Sequence, residues 1–220
     1  MKILCAEYND AGEVAVVPVG DDVLLRNNGD FYIPDYTQQV SGVPQLVVRI
    51  CKLGKSVGER FAGRYFEEIG VGVRFYADSL EEQLIAKKLP GIMAELDELV
   101  ESSLRGAADS LEEQLIAKKL PGIMAASFDS SCAISALMGI EEAREANYEM
   151  KVNGEAVTSG NRQHLPVGIE KLIAFASEFH TLKIGDYLFC GHPFRFRGLR
   201  PGDKVQMTLD GKTMLDFRIK

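Results

Sequence analysis

Tryptophan is absent from the chain, histidine occurs three times, and no apolar run approaches the roughly 20 residues a membrane-spanning helix needs. A helical membrane protein is therefore excluded. The opening MKILCAEYND breaks its short apolar run at Glu7 and reads as a first strand, not a secretion signal. His164, His180 and His192 show neither H-x-H nor H-x-x-x-H spacing, which argues against a zinc centre. No G-x-S-x-G elbow is available for a serine hydrolase. The string KLGKS ends like a phosphate-binding loop, but Arg49 stands where that loop requires glycine. GVGVRF, from Gly70, lacks the third glycine of a dinucleotide fingerprint and lies in an alternating strand. Positive charge is also short. A net charge of −7 argues against a dedicated nucleic-acid binder, which needs a basic face. The four cysteines, Cys5, Cys51, Cys132 and Cys190, form no C-x-x-C pair, and three sit in apolar strand-like runs. Buried free thiols and a reducing, cytoplasmic location are expected.

What remains is the composition of a soluble globular protein, 46% hydrophobic and 26% charged, with enough chain for one ordinary domain. Residues 1–76 are strand-rich: KILCA, EVAVVPV, DVLLR, a buried run over 46–51, and Ile69 to Tyr76 after a short helical piece, VGERFAGRYFEE. Residues 77–126 read as helical, and residues 146–220 return to strands around one helix. Asn153-Gly154 and Asp210-Gly211, each between alternating runs, predict two hairpins. In VGIEKLIAFASEFH, Ile169, Leu172, Ile173, Ala176 and Phe179 recur at helical spacing and predict one buried face.

The middle region repeats itself. ADSLEEQLIAKKLPGIMA stands at 77–94 and again, letter for letter, at 108–125. Solenoid repeats diverge and number at least three, so two perfect copies point to one tandem duplication. One copy occupies the original place. The other, with its linker, is expected to be a helical excursion on the surface, either inert or an interaction arm.

Two stretches hold candidate chemistry. On the strand ending at Tyr76, Gly70, Gly72, Arg74 and Tyr76 share a face. Two glycines ahead of an arginine suggest a close backbone approach or a pocket floor, with Arg74 projecting into it; a solvated Arg74 is the plainer alternative. FCGHPFRFRGLRPGDKV interleaves Phe194, Arg195, Phe196, Arg197 and Arg200 in one predicted loop, which can hold an anion or stack on a planar ligand, or be ordinary solvated arginines with two packed phenylalanines.

In order and spacing, LLRNNGDFYIPDYTQ, QLVVRICKLGK, ERFAGRYFEEIGVGVRF, KKLPGIMAASFDSS, MKVNGEAV, HTLKIGDYLFCG and GDKVQMTLDGKTMLDFRIK resemble the fumarylacetoacetate hydrolase family. The resemblance covers almost the whole chain once one repeat copy is set aside. It implies a β-rich α+β fold, a mixed β-roll on a β-sandwich with a few peripheral helices, as one domain over 1–220 with the helical insertion at about 77–125. It also implies a homodimer, magnesium or manganese, and turnover of small acylpyruvate-like keto acids, with the metal as Lewis acid.

Carried across residue by residue, the resemblance sets the family's Glu-x-Glu metal pair at Val43 and Gln45, and the histidine before it at Ser41. It sets the third metal carboxylate at Arg74, the lysine at Ala126, and the threonine of Gly-Thr-Pro at His192. The family's arginine near the N-terminus falls on Tyr8, with a shortened lid. Hard cations take oxygen ligands, and these positions supply almost none. The expectation is a family member with a vestigial site, no metal, and a structural or binding role as a dimer. The alternatives are a hydrolase, decarboxylase or isomerase working with altered residues, and a metal-free pocket in which Arg74, Arg195 and Arg197 hold a small carboxylate.

Overall fold

A computed structural model describes residues 1–8, 12–35, 37, 39–78, 126–143 and 145–220. The helices expected between 79 and 125, with nearly all of both repeat copies, lie outside the described residues.

Among the described residues, nine strands form one sheet and four form another. The larger runs β2 (Val14–Val19), β1 (Ile3–Tyr8), β10 (Tyr187–Phe189), β4 (Val40–Ile50), β5 (Phe66–Ala77), β6 (Cys132–Ile134), β3 (Leu24–Leu25). Two short strands join it: β11 (Phe196–Leu199) on β4 and β7 (Met138–Gly139) on β5. The smaller sheet is β13 (Lys212–Arg218), β12 (Lys204–Leu209), β8 (Tyr148–Val152), β9 (Glu155–Gly160). Among the described strands only the β1–β10 and β3–β6 pairs are parallel. Two helices complete the described chain, α1 (Glu59–Ala62) and α2 (Ile169–Phe179). Neither is long and apolar enough to cross a membrane. The expected β-rich α+β class is observed.

Strand alternation gives the large sheet two buried faces. One, with Leu46, Val48, Ile69, Val71, Val73 and Phe75, joins the small sheet and α2 in the main core. The other lines the inside of a roll, where Ile3, Cys5, Val47, Cys132, Ile134 and Phe189 meet. Cys5 on β1 and Cys132 on β6 are four steps apart in strand order, yet both pack into this one buried cluster. Only a strongly curled sheet brings them together.

Both hairpins form where the turn dipeptides predict them. Asn153 and Gly154 have φ of 53° and 87°, Asp210 and Gly211 of 46° and 80°, the left-handed pairs that two-residue turns require. Some boundaries differ from the sequence reading. DVLLR opens as a 3-10 turn over Asp21–Val23, leaving only two residues as strand. The piece read as helical stops at Ala62, and its Phe66, Glu67 and Glu68 already belong to β5. β4 begins at Val40, six residues ahead of the apolar run. Pro44 falls between the stretches that pair with β10 (Val47 to Arg49) and β11 (Val40, Gly42), so its missing N–H breaks no ladder bond on that side. Part of the expected arginine loop is strand β11. On α2, Ile169, Leu172, Ile173 and Ala176 are buried as predicted, but Phe179 is 64% exposed at the helix end.

Candidate functional site

The register of β4 against β5 assembles the site. Ser41 lies opposite Tyr76, Val43 opposite Arg74, and Gln45 opposite Gly72, all on the roll-lining face. β6 places Cys132 opposite Arg74 from the other side. The two β5 glycines are there because neighbours press on them. A Cβ on Gly72 would come within 2.7 Å of both the Ala133 carbonyl oxygen and the Phe189 ring, and one on Gly70 within 2.6 Å of Leu137. The close backbone approach read from the sequence is present, and Arg74 stands beside it.

Arg74 is 1% exposed and thus not on a solvated face. Its Nη1 donates to Glu7 Oε1, an ion pair with β1. The Tyr76 hydroxyl lies 2.9 and 3.1 Å from the two Glu7 oxygens. Burial works against the Arg74 charge, but Cys5, Tyr76 and Glu7 around it more than offset this and hold it cationic. Burial also pushes the Tyr76 phenol well above its usual value. The interaction between the two neighbouring thiols holds Cys5 under its usual value and drives Cys132 well above it.

A second ionic group sits at the mouth. Arg195 donates to Ser41 Oγ and to Asp78 Oδ1, and Ser41 Oγ donates to the same Asp78 oxygen at 2.8 Å. Asp78 is 6% exposed. The Tyr76 ring joins the two groups, with the Arg195 guanidinium 4.3 Å from its centroid and that of Arg74 5.3 Å away. Val43, Tyr76 and Ala126 form a small apolar cluster of their own.

Thus Ser41, Val43, Gln45, Arg74 and Ala126 come together, with Arg195 at the mouth. His192 accepts a hydrogen bond from the Phe194 N–H at its Nδ1 (2.9 Å) and meets the Tyr148 ring edge-on at 6.0 Å; burial lowers its pKa. Arg197 is exposed on β11. Tyr8 donates to the Cys190 carbonyl at 3.0 Å, and burial pushes its phenol up to about 12. Sequence reasoning missed Glu7, Asp78 and the bridging role of Tyr76. One signal was available: a buried arginine demands a carboxylate, and Glu7 shares a strand face with the apolar Cys5.

These residues do not suit a divalent cation, which asks for several oxygen ligands. Val43 offers no oxygen, and Gln45 Oε1 already accepts the Gly191 N–H at 2.8 Å. Each carboxylate is tied to a guanidinium. Two buried polar atoms lack a partner among the described residues, Gln45 Nε2 and Arg74 Nε, and both are donors. Such atoms call for an acceptor, the opposite of a metal. Among the described residues no three His, Cys, Asp or Glu side chains converge.

Comparison with known proteins finds relatives in sequence and in fold. It is 29% identical over 209 residues to the mitochondrial oxaloacetate tautomerase of Mus musculus, covering 94% of this chain and 77% of the relative. It is 25% identical over 218 residues to an oxaloacetate tautomerase of Escherichia coli, covering 94% and 96%. The crystal structure of fumarylpyruvate hydrolase from Pseudomonas aeruginosa, in complex with Mn2+ and pyruvate, superposes with a TM-score of 0.75. That match spans 100% of this chain and 89% of that one, at 16% identity, and bears on the fold alone. The profile described as "Fumarylacetoacetate (FAA) hydrolase C-terminal" matches residues 107–220, just over half of the chain. With the curled sheet and the strand order around it, this makes the protein a member of the fumarylacetoacetate hydrolase family.

Proposed function

We propose that this member carries no metal-dependent catalysis and serves as a structural or binding protein, its pocket closed by an internal ionic plug. One observation carries the reading: a fully buried guanidinium, Arg74, occupies the middle of the roll-lining face and is neutralised by the chain's own Glu7. A cation placed there would meet a like charge in a low-dielectric site. A homodimer belongs to the same reading, and sedimentation velocity tests it. Free thiols at all four cysteines fit a reducing compartment.

The test is thermal melting with manganese or magnesium, alongside assays of oxaloacetate tautomerisation and acylpyruvate hydrolysis. No change in melting temperature at about 1 mM metal, and no rate above metal alone, is the expected result. A rise of several degrees, or turnover that depends on the protein, overturns the reading.

The orphaned donors favour one second reading, a metal-free carboxylate site. Arg74 Nε and Gln45 Nε2 are buried donors without a partner among the described residues, and guanidinium suits a carboxylate. Calorimetry with oxaloacetate and pyruvate tests it. Heat of binding lost in Arg74→Ala supports it; identical behaviour of the two proteins removes it.

A further inference from the structure

At the far end of β4, about nine residues and so roughly 30 Å from Val43 along the strand, the chain reverses its charge. Between Lys52 and Arg64 stand four cations, Lys52, Lys55, Arg60 and Arg64, against one carboxylate, Glu59, in a protein of net charge −7. All four cations are exposed. No carboxylate among the described residues lies within ion-pair distance of any of them, whereas some surface cations elsewhere are paired. Arg49 meets Glu68 at 3.3 Å, Arg162 meets Glu170 at 2.6 Å, and Lys204 meets Asp216 at 3.0 Å.

Three of these cations, Lys52, Lys55 and Arg64, line a concavity. Lys52, Lys55, Ser56, Phe61, Arg64 and Tyr65 line an open cleft of about 490 Å³. Phe61 is 41% exposed, and the guanidiniums of Arg60 and Arg64 lie 4.6 and 5.6 Å from its ring centroid. The wall is tied down. Gly54 and Leu182 exchange backbone hydrogen bonds at 3.1 and 2.8 Å, and the Ser56 N–H donates to the Ser177 carbonyl at 2.9 Å. The Val57 N–H donates to Ser177 Oγ at 2.7 Å, and Lys55 Nζ to the Glu178 carbonyl at 2.9 Å. A preformed wall loses little freedom on binding.

We infer that this cleft binds a small organic polyanion. Phosphate or carboxylate groups engage Lys52, Lys55 and Arg64, and the organic body lies against Phe61 and Tyr65. Guanidinium and ammonium groups recognise both kinds of anion, and the cleft exceeds what a single inorganic ion fills. Like charges gathered around one cup repel each other in the free protein, and a polyanion relieves that repulsion.

The test titrates the full chain with adenosine diphosphate, citrate and inorganic pyrophosphate, by calorimetry at low salt. At least one organic anion is expected to bind below about 1 mM and to weaken several-fold as salt rises from about 50 to 200 mM. Lys52→Ala/Arg64→Ala is expected to lose about tenfold or more in affinity with an unchanged melting temperature, because both side chains are exposed. Lys212→Ala, on β13, controls for general loss of charge and should bind as the parent does. Phosphate and carboxylate ligands are told apart by whether adenosine diphosphate or citrate binds. Pyrophosphate binding as tightly as either organic anion overturns the role of the rings. No binding by any of the three at about 10 mM, or binding that survives the double variant, overturns the site. The latter outcome points to the inner pocket, where Arg74→Ala abolishes it.

Discussion

Arg74 and Glu7, 67 residues apart, close one ion pair inside the roll, with Arg74 1% exposed and Glu7 open to solvent on about a third of its side chain. The arginine is therefore the partner that cannot do without the other. A guanidinium stripped of its carboxylate in that position has no water to turn to.

Glu7→Gln is expected to destabilise the protein by about 2–3 kcal/mol, below the 3–5 seen when a fully buried pair is broken, because Glu7 is partly solvated. Urea denaturation measures it. Adding Arg74→Met to Glu7→Gln should recover most of the loss, since removing both charges also removes the desolvation cost. A double variant no more stable than Glu7→Gln would show that the pair is not the source of the effect.

Gly72→Ala tests the packing beneath the plug. Its Cβ would sit 2.7 Å from a backbone oxygen and 2.7 Å from the Phe189 ring, and the backbone oxygen cannot give way cheaply. A loss of about 1–3 kcal/mol is expected, read as a lower melting temperature. At Gly139, where an added Cβ meets nothing within 4 Å, the same substitution should be nearly silent.

Arg195→Met removes the cation that Asp78 and Ser41 share at the mouth. Asp78 is then left largely buried with Ser41 as its remaining side-chain partner among the described residues, and about 1–3 kcal/mol of stability should go. Asp78→Asn combined with Arg195→Met should restore part of it in the same denaturation experiment.

Acid sensitivity has an identifiable source. Burial disfavours the Asp186 charge, but the Lys2 ammonium together with the Lys2 and Lys183 N–H groups (3.0 and 2.8 Å) outweighs it and lowers its pKa below 3.8. A depressed carboxylate contributes its full stability above the unfolded-state value and loses it as pH falls through the folded one. Stability should therefore fall below about pH 4, and Asp186→Asn should flatten that limb of the curve. His192 acts in the same direction at higher pH. Its pKa is lowered from 6.5, so the unfolded chain takes up its proton first as the pH drops below that value. Melting temperature followed from pH 7 to 3 in both His192→Gln and Asp186→Asn checks the two windows.

What could be read from residues alone follows the range of the interaction. Asn153-Gly154 and Asp210-Gly211 announce their hairpins because the turn is decided within two residues. The buried face of α2 follows from spacing within the helix, and fails only at Phe179, where the helix ends and the face has nothing left to cover. The face shared by Gly72, Arg74 and Tyr76 is legible because strand alternation is local. The partner of Arg74 is not. β10 and β4 lie between β1 and β5 in the sheet, so nothing near Arg74 reveals that Glu7 reaches it through the roll. Arg195 and Asp78, 117 residues apart, pose the same problem. The early start of β4 was hidden by Pro44, a residue that signals a turn until the gap between β10 and β11 is seen to accommodate it.

The mutual dependence of Glu7 and Arg74 also limits how this chain can change over time. Replacing Arg74 by an acid, with Glu7 retained, would set two carboxylates against each other beside the apolar Val43 and Ala126. Replacing Glu7 first would strand the arginine. Each single step passes through a less stable protein, so a lineage that acquired the pair is held to it unless both positions move together or stability is gained elsewhere first. The ion pair thus works as a ratchet.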